Sequence, residues 1–156
     1  MDETYIKVKG VWKYLYRAVD KQGKTVDFLL TAKRDASAAR RFFDKAMRHN
    51  TVPYTVTMDK NGANKAALDQ LNAQRKIPIK IRQVKYLNNI VEQDHRAVKR
   101  VTRPMLGFKS FRAAQAVLAG IELTHMIFKG QFNMAGCDGM SFADQFYALA
   151  GKVRAA

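Results

Sequence analysis

Residues 5–30, YIKVKGVWKYLYRAVDKQGKTVDFLL, decide the fold class. Ile6 and Val8 alternate with Lys7 and Lys9, a period of two that predicts a strand, and Gly10 permits a turn. Trp12, Tyr14, Tyr16 and Ala18 then share one face of a second strand, with Val11, Leu15 and Val19 on the other. Both faces are largely apolar, so this strand is expected at the centre of its sheet. Asp20-Lys21-Gln22-Gly23 turns the chain into a third strand, Thr25 to Leu30.

Helical spacing takes over downstream. Asp35 is a plausible N-cap for a helix to about His49 that buries Ala39, Phe42, Phe43, Ala46 and Met47. A short strand follows over Tyr54 to Met58. Next come a helix from about Asn64 to Arg75, with Ala67, Leu68 and Leu71 inward, and a strand at Ile79 to Ile81. Asn88 or Asn89 can cap a helix to about Thr102, before Pro104, and Ser110 opens another through Ala114, Val117, Leu118 and Ile121. Gly130 to Gly139 reads as a linker. Ser141 and Asp144 resemble a capping box for a last helix with Phe142, Phe146, Leu149 and Val153 inward. Strands followed by alternating strands and helices predict an α/β domain with a mixed sheet.

At 156 residues and 47% apolar composition, the chain can bury the core of one domain, which excludes the disordered class. No apolar run approaches the roughly 20 residues of a membrane span, and the charged start MDETYIKVKG lacks a signal-peptide core. Lone Cys137 has no cysteine partner for an internal disulfide or a zinc knuckle. The expectation is a soluble, intracellular protein. With 28 Lys and Arg against 13 Asp and Glu, the net charge is +15, and residues 75–112 hold eleven basic groups against two acidic ones. So concentrated a field attracts polyanions, of which nucleic acid is the commonest.

Three acids stand where solubility does not require them. Asp2 heads the first strand, Asp59 closes the fourth, and Glu92 lies in a helix within the most basic stretch. Spacings of three, four and seven put Asn88, Asn89, Glu92, His95, Arg96 and Lys99 on one helical stripe, with Val91, Ala97, Val98 and Val101 behind it. Asp94 points away from Glu92 and is the weaker ligand candidate. The stripe could be an ordinary solvated face, or it could set a carboxylate on a metal while Arg96 and Lys99 hold phosphate. Phosphoryl transfer on nucleic acid suits the second reading. Two Mg²⁺ ions roughly 4 Å apart can activate a water or a 3′-hydroxyl and stabilise the departing oxygen. A few carboxylates suffice, since Mg²⁺ prefers oxygen ligands and keeps several waters.

These motifs resemble a known family. The stretches 2–8 (DETYIKV), 12–20 (WKYLYRAVD), 59–64 (DKNGAN), 82–96 (RQVKYLNNIVEQDHR) and 103–112 (RPMLGFKSFR) are similar to bacterial insertion-sequence DDE transposases. The nearest group is the short elements that move by a replicative, cointegrate-forming route. The resemblance implies a ribonuclease-H-like α/β core, a mixed sheet of about five strands flanked by helices, over residues 1–130. Residues 131–156 would then be a linker and C-terminal helix. It implies Asp2, Asp59 and Glu92 as catalytic, metal-binding acids, with Mg²⁺ as cofactor and Mn²⁺ able to substitute. Lys99 would contact DNA near the cleaved phosphate, joined by Lys85, Arg96, Arg100 and Arg103. His95, Asn88 and Asn89 would be accessory, with a structural hydrogen-bonding role for His95 equally open, and Tyr86 could stack on an unpaired base or serve only packing.

The implied reaction is DNA 3′-end cleavage and strand transfer. The implied partners are element ends and target DNA, met as a homodimer or higher assembly in the bacterial cytoplasm and away from membranes. Family members carry an upstream helical DNA-binding region, and this sequence starts one residue before Asp2. An N-terminally truncated transposase is therefore expected. The rival readings are an inactive remnant that only binds DNA, a ribonuclease-H-like nuclease, and a basic RNA- or ribosome-associated protein.

Overall fold

The computed structural model describes residues 1–84, 89–132 and 139–154. Strands β1 (Asp2–Val8), β2 (Val11–Val19) and β3 (Thr25–Thr31) are followed by helix α1 (Ala36–His49) and strand β4 (Thr55–Met58). Helix α2 (Gly62–Ala73), strand β5 (Lys80–Gln83), helix α3 (Asn89–Thr102) and a 3₁₀ turn (Arg103–Met105) come next, then helices α4 (Phe111–Phe128) and α5 (Phe142–Arg154).

β1, β2 and β3 form an antiparallel meander with β2 in the centre. The first hairpin turns through Lys9 and Gly10, both at positive φ (49° and 75°), as a two-residue loop of the primed type requires. β4 and β5 pair in parallel as a separate set. The five strands expected are thus present, but they hydrogen-bond as three and two rather than as one sheet. The sets touch where the Met1 amine donates to the Thr57 carbonyl at 2.7 Å. The chain leaves β4 one residue later, at Met58, so no ladder develops between β1 and β4 among the described residues.

Helices cover both faces of the meander. Tyr16 of β2 packs with Ala38, Ala39, Phe42 and Phe43 of α1, and the same cluster takes in Met58 and the Ala67, Leu68 and Leu71 stripe of α2. Leu15, one residue earlier and so on the opposite face, packs with Ile6, Val98 of α3, and Ala114, Leu118 and Ile121 of α4. Asp35 caps α1 and Ser110 caps α4, each accepting from the backbone N–H three residues on. α2 starts earlier than the apolar spacing indicates, because the Asn61 side chain caps it by accepting from Ala63 N–H.

α5 departs from expectation. Its Ser141–Asp144 capping pair is present, but Phe142 and Phe146 lie exposed rather than inward. Phe142 stacks on Phe128 of α4, itself exposed, with ring centroids 4.7 Å apart. Among the described residues, no helix is long and apolar enough to cross a membrane.

Candidate active site

Asp2 sits at the head of β1, on the face that α3 covers. Across the sheet it pairs in register with Arg17, and His95 Nδ1 of α3 lies 3.6 Å from its Oδ2. Burial drives the Asp2 carboxyl up to about 6. The Glu3 backbone N–H bond opposes that rise, and the charges of Glu3 and Asp59 add to it. Asp59 follows directly on β4, beside the head of β1. Two carboxylates that raise the cost of ionising at one sheet end are a setting that a divalent cation relieves.

Glu3, one residue on, faces the other way. Its buried carboxylate accepts from Asn61 Nδ2 at 2.6 Å, from Asn64 Nδ2 at 2.9 Å and from the Arg34 guanidinium. Asn61 N–H in turn donates to the Asp59 carbonyl at 2.7 Å. Glu3 therefore pins the loop that carries Asp59. Sequence reading missed it, since a glutamate beside a candidate ligand shows no partner sixty residues away.

α3 brings the remaining candidates. Glu92 lies exposed in its first turn, where the helix dipole favours a carboxylate. Among the described residues, no three His, Cys, Asp or Glu side chains converge closely enough to hold a metal ion, so the structure does not gather Glu92 with Asp2 and Asp59. Asp2 and Asp59 carry oxygen donors of the kind a divalent ion takes, and they are near enough that the Asp59 charge raises the Asp2 carboxyl. His95 leaves the solvated stripe expected of it. With Val91 and Val98 it forms the buried face, because spacings of four and three lay it over the sheet. Burial, helped by the charges of Arg17 and Lys99, holds its imidazole down at about 3, so it is neutral. Its Nε2 is buried without a hydrogen-bond partner among the described residues.

Arg96, Arg100 and Arg103 are exposed and Lys99 is half-buried. They place four cations along α3 and the turn after it. Asn89 opens the helix, exposed. Lys85, Tyr86 and Asn88 lie outside the described residues.

Beneath the acids lies an ionic network that sequence reading did not find. Arg17 is 0% exposed and forks onto Glu122 of α4, also 0% exposed, at 2.6 and 2.8 Å. Its Nη2 also donates to Asp94 at 2.6 Å, and Lys129 donates to the other Asp94 oxygen at 2.5 Å. Burial pushes the Asp94 carboxyl upward, but the Lys129 hydrogen bond and the two cations outweigh it and leave the carboxyl below its ordinary value. Asp94 thus does point away from Glu92, and its work is to fasten α3 to β2 and α4.

The opposed settings of Asp2 and His95 give a pH signature in metal-free buffer. Unfolded His95 gains a proton below its ordinary 6.5, whereas the folded residue stays neutral down to about 3, so stability is lost as pH falls through that range. Asp2 runs the other way. The folded chain holds its proton below about 6 and the unfolded chain releases it down to 3.8, so acid adds stability in that window. Each slope is at most about 1.4 kcal/mol per pH unit, less for the partly solvated Asp2. Between pH 6 and 3.8 they oppose each other, and Asp2→Asn leaves the histidine slope alone. Urea midpoints of that variant should fall more steeply with acid than the parent's. Parallel profiles would refute the opposition.

Comparison with known proteins now defines the class. The chain matches the DDE domain family of IS240-type transposases over residues 1–131 and belongs to that family. The transposase for insertion sequence-like element IS431mec of Staphylococcus aureus is 39% identical over 131 residues, covering 83% of this chain and 57% of the relative. The transposase for insertion sequence element IS257 in transposon Tn4003, also from Staphylococcus aureus, matches with the same identity and coverage. Uncharacterized protein pYV0051 of Yersinia pseudotuberculosis is 35% identical over 79 residues, covering 49% of this chain and 74% of its own. The chain therefore spans little more than half the length of the staphylococcal transposases it matches. A cryoEM structure of the simian T-cell lymphotropic virus intasome in complex with PP2A regulatory subunit B56 gamma overlaps 64% of this chain and 37% of that one, with a TM-score of 0.49 and 19% identity.

Proposed function

We propose that this chain is the catalytic domain of an insertion-sequence transposase that cuts DNA at the element's 3′ ends and joins the freed hydroxyls to target DNA. The observation that carries this reading is that Asp2 and Asp59 flank the Met1–Thr57 contact between β1 and β4, near enough for the Asp59 charge to raise the Asp2 carboxyl, in a member of the DDE family. Asp2 and Asp59 would hold divalent metal, Mg²⁺ or Mn²⁺ in its place, and Glu92 at the start of α3 would complete the set. Bound there, the metal would supply activation of the attacking oxygen and stabilisation of the departing one.

The protein's own residues orient and neutralise. Lys99, Arg96, Arg100 and Arg103, with Lys85 ahead of the helix, offset the charge of the phosphate backbone. Neutral His95 lies against Asp2 without adding charge to it. The finer fold reading is ribonuclease-H-like, with β4 and β5 extending the meander beyond β1. Residues 1–130 form this core, and residues 131–156 are a linker and a C-terminal helix that lies against α4 through Phe142 and Phe128. The working form is a homodimer or higher assembly on element ends and target DNA in the bacterial cytoplasm.

Calorimetric titration with Mn²⁺ tests the site without any known DNA end. The parent should bind Mn²⁺, and both Asp59→Asn and Glu92→Gln should weaken that binding. Identical titrations for all three would remove the reading. The exposed setting of Glu92 favours a second one, a chain that binds DNA without cutting it. It predicts salt-sensitive DNA binding, indifferent to the acids, with no change in Mn²⁺ affinity between variants.

A further inference from the structure

A groove of about 550 Å³ runs beside the outer edge of β1, between that strand and the end of α3. Tyr5, Lys7 and Trp12 form one wall, and Lys99, Thr102, Arg103 and Leu106 form the other. Gly107 and Phe108 close one end. Phe108 pairs alongside Val8, with its N–H bonded to the Lys7 carbonyl at 2.8 Å. Gly107 is required there: its φ is +109°, and a Cβ would lie 3.2 Å from the Lys7 oxygen.

Two properties of this lining point to one kind of ligand. It carries three cations and no acid. It also exposes aromatic surface that a domain core would normally bury. Trp12 is 56% exposed with Lys7 Nζ 5.7 Å from its ring centroid, and Tyr5, 46% exposed, meets it edge to face at 6.3 Å. Flat rings interleaved with cations match a nucleotide with its base unstacked, the ring for the base and the cations for its phosphates. A paired duplex offers no free base faces to such a groove except at its ends.

The groove is also close to the acids. Tyr5 lies three residues along β1 from Asp2, about 10 Å by strand rise, and Lys99 lies two turns along α3 from Glu92, about 10 Å by helix rise. We infer that this groove holds an unpaired nucleotide of a DNA end, its base against Trp12 and Tyr5 and its phosphates against Lys7, Lys99 and Arg103. The inference rests on the DNA-binding reading above and adds the strand state that is bound.

Trp12 is the chain's one tryptophan, so its fluorescence reports the groove directly. The full chain is titrated, without metal, with a fluorophore-labelled blunt duplex and with the same duplex bearing a four-thymidine overhang. Tryptophan emission and label anisotropy are both read. The overhang should quench Trp12 and bind about tenfold tighter than the blunt duplex. Trp12→Leu, an exposed position where folding is not at stake, should bring the two affinities together while leaving blunt-duplex binding intact. Equal binding and equal quenching by both DNAs would overturn the inference and leave the DNA-binding reading standing. No binding of either DNA would overturn both. Emission that instead shifts with protein concentration alone would assign the groove to a second copy of the chain and overturn it as well.

Discussion

Arg17→Leu should destabilise the fold by about 3–5 kcal/mol, read as a fall in the urea midpoint and in Tm. The reason lies in what the substitution leaves behind. Glu122 is fully buried and takes both of its guanidinium hydrogen bonds from Arg17. Asp94 keeps Lys129 but loses its 2.6 Å bond to Nη2. A carboxylate buried without its counter-ion costs far more than the pair contributes when intact, because desolvation is no longer offset. Glu122→Leu should cost less, since Arg17 retains Asp94. The double variant Arg17→Leu with Glu122→Leu should recover much of the loss of the first. A single Arg17→Leu that loses less than about 1 kcal/mol would show that the network is solvated and refute the argument. The consequence reaches the site. Asp94 lies between Glu92 and His95 in sequence on α3, so releasing it loosens the helix that presents both.

That network marks the limit of what one-dimensional pattern can show. The meander was readable from alternation and turn chemistry, because each strand meets the next after a few residues. α1 and α4 were readable from Asp35, Ser110 and apolar faces of period 3.6, all local signals. Arg17 and Glu122 are 105 residues apart, and each resembles any charged residue until the fold buries them together. Glu3 with Asn61 and Asn64 is the same case at 58 and 61 residues. His95 went the other way. Its polar type placed it with Glu92 and Lys99 on a wet stripe, yet the helix turns it onto the sheet with Val91 and Val98. At α5 the spacing of Phe142 and Phe146 implied an inner face, whereas packing to Phe128 keeps that row on the surface. The acids were visible for another reason. Asp2 and Asp59 stand at the ends of strands and Glu92 within a basic stretch, and motif resemblance then tied them together.

On the proposed chemistry, Asp59→Asn should lower the rate of divalent-ion-dependent DNA strand cleavage by about a thousandfold or more, with duplex affinity unchanged. Losing an anionic oxygen ligand forfeits several kcal/mol of charge stabilisation, and each 1.36 kcal/mol is tenfold in rate. Glu3→Gln should act at one remove and more weakly. Glu3 faces away from Asp2, but its two carboxylate oxygens accept from Asn61, Asn64 and Arg34 and so brace the turn after Asp59. A glutamine offers one acceptor oxygen and sets its amide hydrogens against those donors. The turn loses bonds without losing the ligand, an outer-shell defect that characteristically costs 10–100-fold in metal affinity or activity. Mn²⁺ affinity should therefore fall in Glu3→Gln, and raising Mn²⁺ should restore much of its cleavage rate. The same increase should do little for Asp59→Asn, which keeps a neutral amide oxygen but has lost the anionic carboxylate. Equal insensitivity to Mn²⁺ in both variants would make Glu3 a ligand rather than a brace. A Glu3→Gln variant with unchanged metal affinity and unchanged rate would show that the Asn61 turn holds Asp59 without it.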